Sequence, residues 1–425
     1  MKLTFSTAAC RRWLLLVALS ALPAFAQAGY FQWDVVTLPA SSGASCGNGT
    51  PYRFFVNRTP FTRNTTVLYE GGGACWDQAA CEGQGPLHAA NPNGIPTDYM
   101  QRLDTQAVFG LVTPFSARLD PFQAAPTQSW NMVFLPYCTG DVHTGSAMRI
   151  YSDSNPAAPR VQFFRGQANV RAAAAWLRAN LGKPNDLLIT GFSAGGVGAS
   201  ATYSLMRDAL APTGRSQLLA DSGPLMPAPR SATPAQAPSL LLHNTIRDAW
   251  GLDTPAGLVT SFAGLAGFDV NDMGSIVPAL AVRYPKDRFG YLLFQQDATF
   301  SGFSYAKFYP EIAVAAVTDP ALYAKLLNER WRYDIGKFRT VLDGQANIGY
   351  HMAFFRPFNN SHCLTIVDWS GTGIEEVGLP TIAPFVDNIL ARGPAPLRNY
   401  ETDNTSDLTR PVSWVLALVT FFGLI

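Results

Sequence analysis

The chain has 425 residues, of which 48% are hydrophobic and only 14% charged, which excludes a disordered polyelectrolyte and leaves apolar mass for a large core. Lys and Arg number 31 against 30 Asp and Glu, so no excess of cations faces a nucleic-acid backbone. Five His and six Cys are too few and too scattered for a zinc-finger array.

Residues 1–26 have the pattern of a secretory signal peptide. Lys2, Arg11 and Arg12 form a basic start, Trp13–Leu22 an apolar run, and Ala24-Phe25-Ala26 a small-x-small cleavage site. The run is too short to cross the roughly 30 Å of a bilayer core. A secreted or periplasmic location is therefore expected, and with it disulfides. Cleavage leaves 28 basic residues against 30 acidic ones, and five cysteines: Cys46, Cys75, Cys81, Cys138 and Cys363. The odd number leaves at least one thiol unpaired within the chain. Cys75 and Cys81 are near enough in sequence to close a small loop, but spacing alone does not fix other pairings.

Residues 27–405 read as one α/β domain. Short apolar runs of strand length recur at Val35–Leu38, Tyr52–Val56, Thr66–Tyr69, Met132–Pro136, Leu187–Thr190, Gln217–Ala220, Tyr291–Phe294 and Leu364–Val367. Helical stretches are expected at Val161–Leu181, which stops at Gly182-Lys183-Pro184, and at Ala194–Leu210. The alternation predicts a mostly parallel sheet with helices on both faces.

The run Thr66–Tyr69 leads into Glu70-Gly71-Gly72-Gly73. Glycines there let backbone N–H groups approach a substrate oxygen, and Gly71 and Gly72 are the candidate donors. A phosphate-binding loop would need a G-K-[ST] ending, which is missing. Gly83–Gln128 is dense in Pro, Asn and Gly and is expected to loop over the sheet.

Leu187–Gly196 is the most informative stretch. Gly191-Phe192-Ser193-Ala194-Gly195 is a G-x-S-x-G with an apolar strand before it and small residues after it, the context of a nucleophile elbow. The tight turn holds the Ser193 hydroxyl out at the strand end. The Ala194 amide, at the helix start, is the third candidate oxyanion donor.

Pro224–Pro238, with five Pro, opens an insertion reaching about residue 285, which reads as a cap. The hydrolase order of serine, acid, histidine then asks for an acid on a late strand. Asp297, ending Tyr291–Phe294, is preferred over Asp221, which follows Ser193 by only 28 residues and suits an orienting role. Three histidines follow Ser193: His243, His351 and His362. His362 lies in a polar loop before an apolar run and is the preferred base, with His351 as the alternative.

Residues 406–425 form a polar spacer and an apolar tail. Val412–Ile425 is short for a membrane span, so a packed terminal element, a cleaved or sorting tail and a membrane anchor all stay open.

These motifs together resemble the pectin acetylesterases and their animal relatives, the Notum carboxylesterases. The resemblance rests on Cys46-Gly47-Asn48-Gly49-Thr50-Pro51-Tyr52, Glu70–Cys75, Pro136-Tyr137-Cys138-Thr139-Gly140-Asp141, Gly191–Gly196, Ala220-Asp221-Ser222-Gly223 and Ser361-His362-Cys363. It implies an α/β-hydrolase fold, a Ser193–His362–Asp297 triad and an oxyanion hole of Gly71, Gly72 and Ala194. It also implies the pairs Cys46–Cys138 and Cys75–Cys81, with Cys363 free. The insertion after Ser222 has no counterpart in it.

The expected activity is hydrolysis of a carboxylic ester through an acyl-enzyme, with no cofactor and no metal. An acetylated polysaccharide such as pectin is the first substrate class; a longer acyl ester, as for a lipase or polyester hydrolase, is the second. A non-catalytic binding protein on the same scaffold is the reading of another class. No nucleic-acid partner is expected, and membrane association would depend on the tail alone.

Overall fold

The computed structural model describes residues 29–102, 113–118, 124–356, 358–366, 369–391 and 393–402. The expected signal peptide and the apolar tail lie outside the described residues.

Among the described residues nine strands form one sheet. They are β1 (Trp33–Thr37), β2 (Arg53–Asn57), β3 (Thr65–Tyr69), β4 (Asn131–Leu135), β7 (Leu187–Phe192), β8 (Ser216–Asp221), β9 (Arg288–Phe294), β10 (Ile348–Ala353) and β11 (Arg398–Tyr400). The two others, β5 (Ala147–Tyr151) and β6 (Arg160–Phe164), pair with each other as an antiparallel hairpin. The order in the large sheet is β1-β2-β4-β3-β7-β8-β9-β10-β11. β1 and β2 run antiparallel at one edge; every pairing from β4 to β11 is parallel. This is the α/β-hydrolase arrangement.

The strand chemistry explains the layering. All residues of β3, β4, β7, β8 and β10 are buried, which continuous apolar runs allow only when both faces of the sheet are covered. The edge strand β1 is mostly open. β3 has β4 on one side and β7 on the other, so successive connections leave it in opposite directions. A crevice therefore opens at the carboxyl ends of the central strands, where open α/β sheets bind ligands.

The covering helices are α1 (Gln78–Cys81), α2 (Gly166–Asn180), α3 (Ala194–Ala201), α4 (Tyr203–Leu210), α5 (Leu240–Ala249), α6 (Leu258–Phe262), α7 (Ile276–Arg283), α8 (Ala298–Tyr305), α9 (Pro310–Thr318), α10 (Pro320–Asp343) and α11 (Ala383–Leu390). Two helical expectations divide. The stretch expected at Val161–Leu181 starts as β6 before α2, and Ala194–Leu210 breaks at Thr202 into α3 and α4. The Thr202 hydroxyl bonds the Gly198 carbonyl at 2.7 Å and lies 3.1 Å from the Tyr69 hydroxyl, a local competition that ends the helix.

One expected strand is absent. The described part of the apolar run Leu364–Val367 is irregular, because the amides of Leu364 and Thr365 donate to the Asp221 carboxylate and not to a strand. The ladder position is taken instead by β10, which pairs in parallel with β9 from Ile348↔Phe289 to Ala353↔Phe294. The bridges Cys46–Cys138 and Cys75–Cys81 are formed, and Cys363 is free and buried. Among the described residues no helix is long and apolar enough to cross a membrane.

Candidate active site

The turn from β7 into α3 is forced into a sparsely populated conformation. Ser193 has φ 56° and ψ −125°, a strained backbone for a residue with a side chain. The turn is pinned on both sides: Ser193 N–H donates to the Asp221 carbonyl at 2.8 Å, and its own carbonyl accepts from Gly196 N–H at 2.9 Å. A Cβ at Gly195 would lie 2.1 Å from the Tyr69 carbonyl oxygen, so only glycine lets α3 approach β3 this closely. The Ala194 amide belongs to the first turn of α3, where helix geometry leaves N–H groups without an intrahelical acceptor.

The glycine loop after β3 touches this turn. A Cβ on Gly71 would stand 2.7 Å from the Phe192 carbonyl oxygen and 2.9 Å from Ser193 Cβ, so Gly71 packs directly against the serine. Behind it sit residues to which sequence reasoning gave no role. The buried Glu70 carboxylate accepts from the Tyr99 hydroxyl at 2.7 Å and from Tyr137 N–H at 2.8 Å. His143 Nε2–H donates to the Glu70 carbonyl at 2.9 Å. Burial pushes the His143 pKa down to about 4, so the ring is neutral and acts as a fixed donor. Asp141, buried and pushed up to about 6, accepts from the Thr139 hydroxyl and Gly166 N–H. The run Pro136–Asp141 was visible in the sequence, but nothing in it shows that it folds under the glycine loop.

Asp297 follows β9 and caps α8. One carboxylate oxygen accepts from Phe300 N–H at 2.8 Å; the other lies 2.8 Å from His362 Nδ1. The carboxylate is an acceptor, so Nδ1 carries the proton and Nε2 is the atom left to take another. Burial opposes the imidazolium, yet the adjacent Asp297 charge and hydrogen bond, with Asp221 behind, raise the His362 pKa above its ordinary value.

Asp221 holds the loop that carries His362. Its Oδ2 accepts from Leu364 N–H (2.8 Å), Thr365 N–H (2.7 Å) and the Thr365 hydroxyl (2.7 Å). Its Oδ1 takes the Ser222 hydroxyl at 3.0 Å, and Ser222 Oγ accepts from Cys363 N–H at 2.9 Å. Left-handed φ values at Asn360 (55°), Ser361 (54°) and Cys363 (64°) show how tightly this loop is bent. Asp221→Ala is expected to lower unfolding free energy by about 3 kcal/mol or more, because several buried donors lose their acceptor together. Urea titration of the variant checks this; a change below ~0.5 kcal/mol would refute the anchoring role.

The remaining downstream histidines do not join this group. His351 is buried within β10, its Nε2–H donating to the Thr372 carbonyl at 2.8 Å, with its pKa pushed down to about 4 by burial. His243, on α5, lines a pocket described next.

Ser193 and His362 border two connected spaces. One is an apolar pocket walled by residues such as Leu225, Leu242, Ile246, Trp250, Met273 and Phe303. Five of these six lie within residues 224–285: Leu242 and Ile246 on α5, Trp250 just after it, and Leu225 and Met273 on the flanking segments. The other is a cleft lined by Gly71, Gly72, Gly73, Thr299 and Ile366. Trp250 Nε1–H donates to the Cys75 carbonyl at 2.9 Å and so ties the end of α5 to the glycine loop. Among the described residues no group of three or more His, Cys, Asp or Glu side chains is placed to hold a metal ion.

A family model described as pectinacetylesterase matches residues 25–245. The chain belongs to the pectinacetylesterase family, whose fold is the α/β-hydrolase one described above. It is similar to palmitoleoyl-protein carboxylesterase notum1a of Danio rerio, 24% identical over 43% of this chain and 34% of that protein. It is also similar to palmitoleoyl-protein carboxylesterase NOTUM of Drosophila melanogaster, 24% identical over 50% of this chain and 30% of that protein. The chain thus spans about a third of the length of these two relatives. A third, inactive palmitoleoyl-protein carboxylesterase notum1b of Danio rerio, is 26% identical over 25% of this chain and 69% of that protein.

Proposed function

We propose that this protein is a secreted serine carboxylic-ester hydrolase. The observation that carries the reading is that Ser193, on its strained turn, and His362, paired with Asp297 at 2.8 Å, line the same apolar pocket. Ser193 Oγ attacks the ester carbonyl while His362 Nε2 takes its proton. Asp297 holds the tautomer and stabilises the imidazolium. The amides of Gly71, Gly72 and Ala194 receive the oxyanion. The alcohol leaves with the proton from His362, and water, activated by the same imidazole, releases the acid. The presence of serine, histidine and acid supports catalysis over the binding-scaffold reading. Expected cleavage after residue 26 and the two disulfides support an exported protein.

The pocket supports an acyl chain longer than acetyl, with residues 224–285 as the cap that encloses it. Its free volume is about 80 Å³. On that measure a single water needs at least roughly 10–15 Å³, so the pocket has room for an apolar chain of more than two carbons. The family description favours a second substrate class, acetyl groups on a polysaccharide. An anionic pectin would call for a basic groove, which a balance of 28 basic to 30 acidic residues does not support.

A series of 4-nitrophenyl esters beside acetylated pectin and xylan decides between them. Adding methylenes to a well-fitting apolar pocket should raise kcat/KM roughly 10-fold or more in total between acetate and octanoate. Fastest turnover on acetate, or turnover of acetylated polymer alone, would return the assignment to a deacetylase.

A further inference from the structure

The apolar pocket has polar groups in its wall, and most are accounted for. The Thr144 hydroxyl donates to the Asp141 carbonyl at 2.8 Å, and the Ser304 hydroxyl to the Phe300 carbonyl at 2.9 Å. Ser193 and His362 do the chemistry. His243 is different. It is 7% exposed, it lines the pocket among Leu242, Ile246 and Trp250, and its Nδ1 is buried with no hydrogen-bond partner. One turn earlier Ser239 lines the same wall. Ser239 does not cap its own helix: its N–H donates to the Asp334 carboxylate at 3.0 Å, while its hydroxyl oxygen, like His243 Nδ1, is buried with no hydrogen-bond partner.

Buried polar atoms are costly without a partner, so an unpaired ring nitrogen on a residue of the pocket wall is a place where a ligand group can supply the missing hydrogen bond. The chemistry of that ligand group is restricted. Burial, with Arg247 nearby, pushes the His243 pKa down to about 4, so the ring is neutral and offers one donor and one acceptor. Arg247 itself is held by Asp253 at 2.7 Å and by the Val270 carbonyl at 2.6 Å, so it does not supply a free cation for a carboxylate. A neutral group that both gives and takes a hydrogen bond is the match, carried on an otherwise apolar chain.

We propose that His243 is a specificity residue that reads a hydroxyl on the acyl chain, remote from the ester carbonyl. This rests on the serine-hydrolase reading above and names its substrate class further: esters of hydroxylated fatty acids.

The test compares 4-nitrophenyl octanoate with hydroxyoctanoates whose hydroxyl is stepped along the chain. At least one positional isomer is expected to exceed octanoate in kcat/KM by about tenfold in the wild type. In His243→Leu that ratio should fall to about one or lower, and in His243→Asn, which keeps a donor and an acceptor, part of it should return. Thermal unfolding of both variants establishes that they are folded, and Asn serves where Leu does not fold. If octanoate is hydrolysed but no isomer is preferred, or the preference survives in His243→Leu, the inference is overturned while the hydrolase reading stands. If the folded wild type hydrolyses none of these esters, both fall.

Discussion

Ser193→Ala is expected to lower kcat by roughly 10³-fold or more while the unfolding midpoint stays within about 2 °C of the wild type. On the proposed mechanism the variant loses the covalent route but keeps the oxyanion donors. The turn itself is held by backbone bonds, from Ser193 N–H to the Asp221 carbonyl and from Gly196 N–H to the Ser193 carbonyl, and these survive the change. A residual rate above background is therefore part of the expectation, since donors and pocket act without the nucleophile. Circular dichroism and steady-state kinetics on one preparation check both halves. A folded variant with near-normal turnover would remove Ser193 from the mechanism.

His362→Ala should be nearly as damaging, and His351→Ala should not. The base must be neutral to accept the serine proton, so kcat/KM should rise with pH through the His362 pKa. The structure sets the sign of its displacement. Burial alone would push the pKa down, but Asp297 at 2.8 Å and Asp221 behind the loop raise it above the ordinary value near 6.5. The rising limb should therefore lie on the alkaline side of about 6.5. Asp297→Asn should move that limb towards acid and lower kcat by up to about 10⁴-fold, because the amide no longer fixes the productive tautomer. His351, whose proton goes to the Thr372 carbonyl inside β10, should leave the profile in place when replaced. The opposite outcome, with His351→Ala inactive and His362→Ala active, would move the base to the wrong strand.

Much of the frame could be read from residues alone, where a local pattern carries the whole signal. β7 is a mostly apolar run broken by the glycine of the turn, and the glycines flanking Ser193 are forced by close contacts, Gly195 with the Tyr69 backbone of β3 and Gly191 with the Gly195 backbone. Both leave a mark at fixed spacing. Leu364–Val367 misled because burial is not a strand signal: Leu364 and Ile366 are buried beneath the site, but their segment bonds to a carboxylate and not to a ladder. β10 escaped notice because Gly349 and His351 dilute its apolar character, although all six residues are buried. The helix Pro320–Asp343 carried its own start signal, since Asp319 accepts from Ala321 and Leu322 N–H and Pro320 follows it. The pocket was not legible at all. Its wall combines the glycine loop, α3, α5, the segment up to Met273 and α8, elements brought together only by the fold. The same holds for Glu70 and His143, which act on the glycine loop through a contact spanning 73 residues of sequence.

The most direct measurement is active-site labelling with a fluorophosphonate, followed by intact mass and peptide mapping. The account predicts one adduct per chain, on Ser193, formed quickly by the wild type and slowed strongly in His362→Ala, with hydrolysis of octanoate ester lost in step with labelling. A folded, esterase-active protein that stays unlabelled, or that carries its adduct on another residue while Ser193 is unmodified, would contradict it.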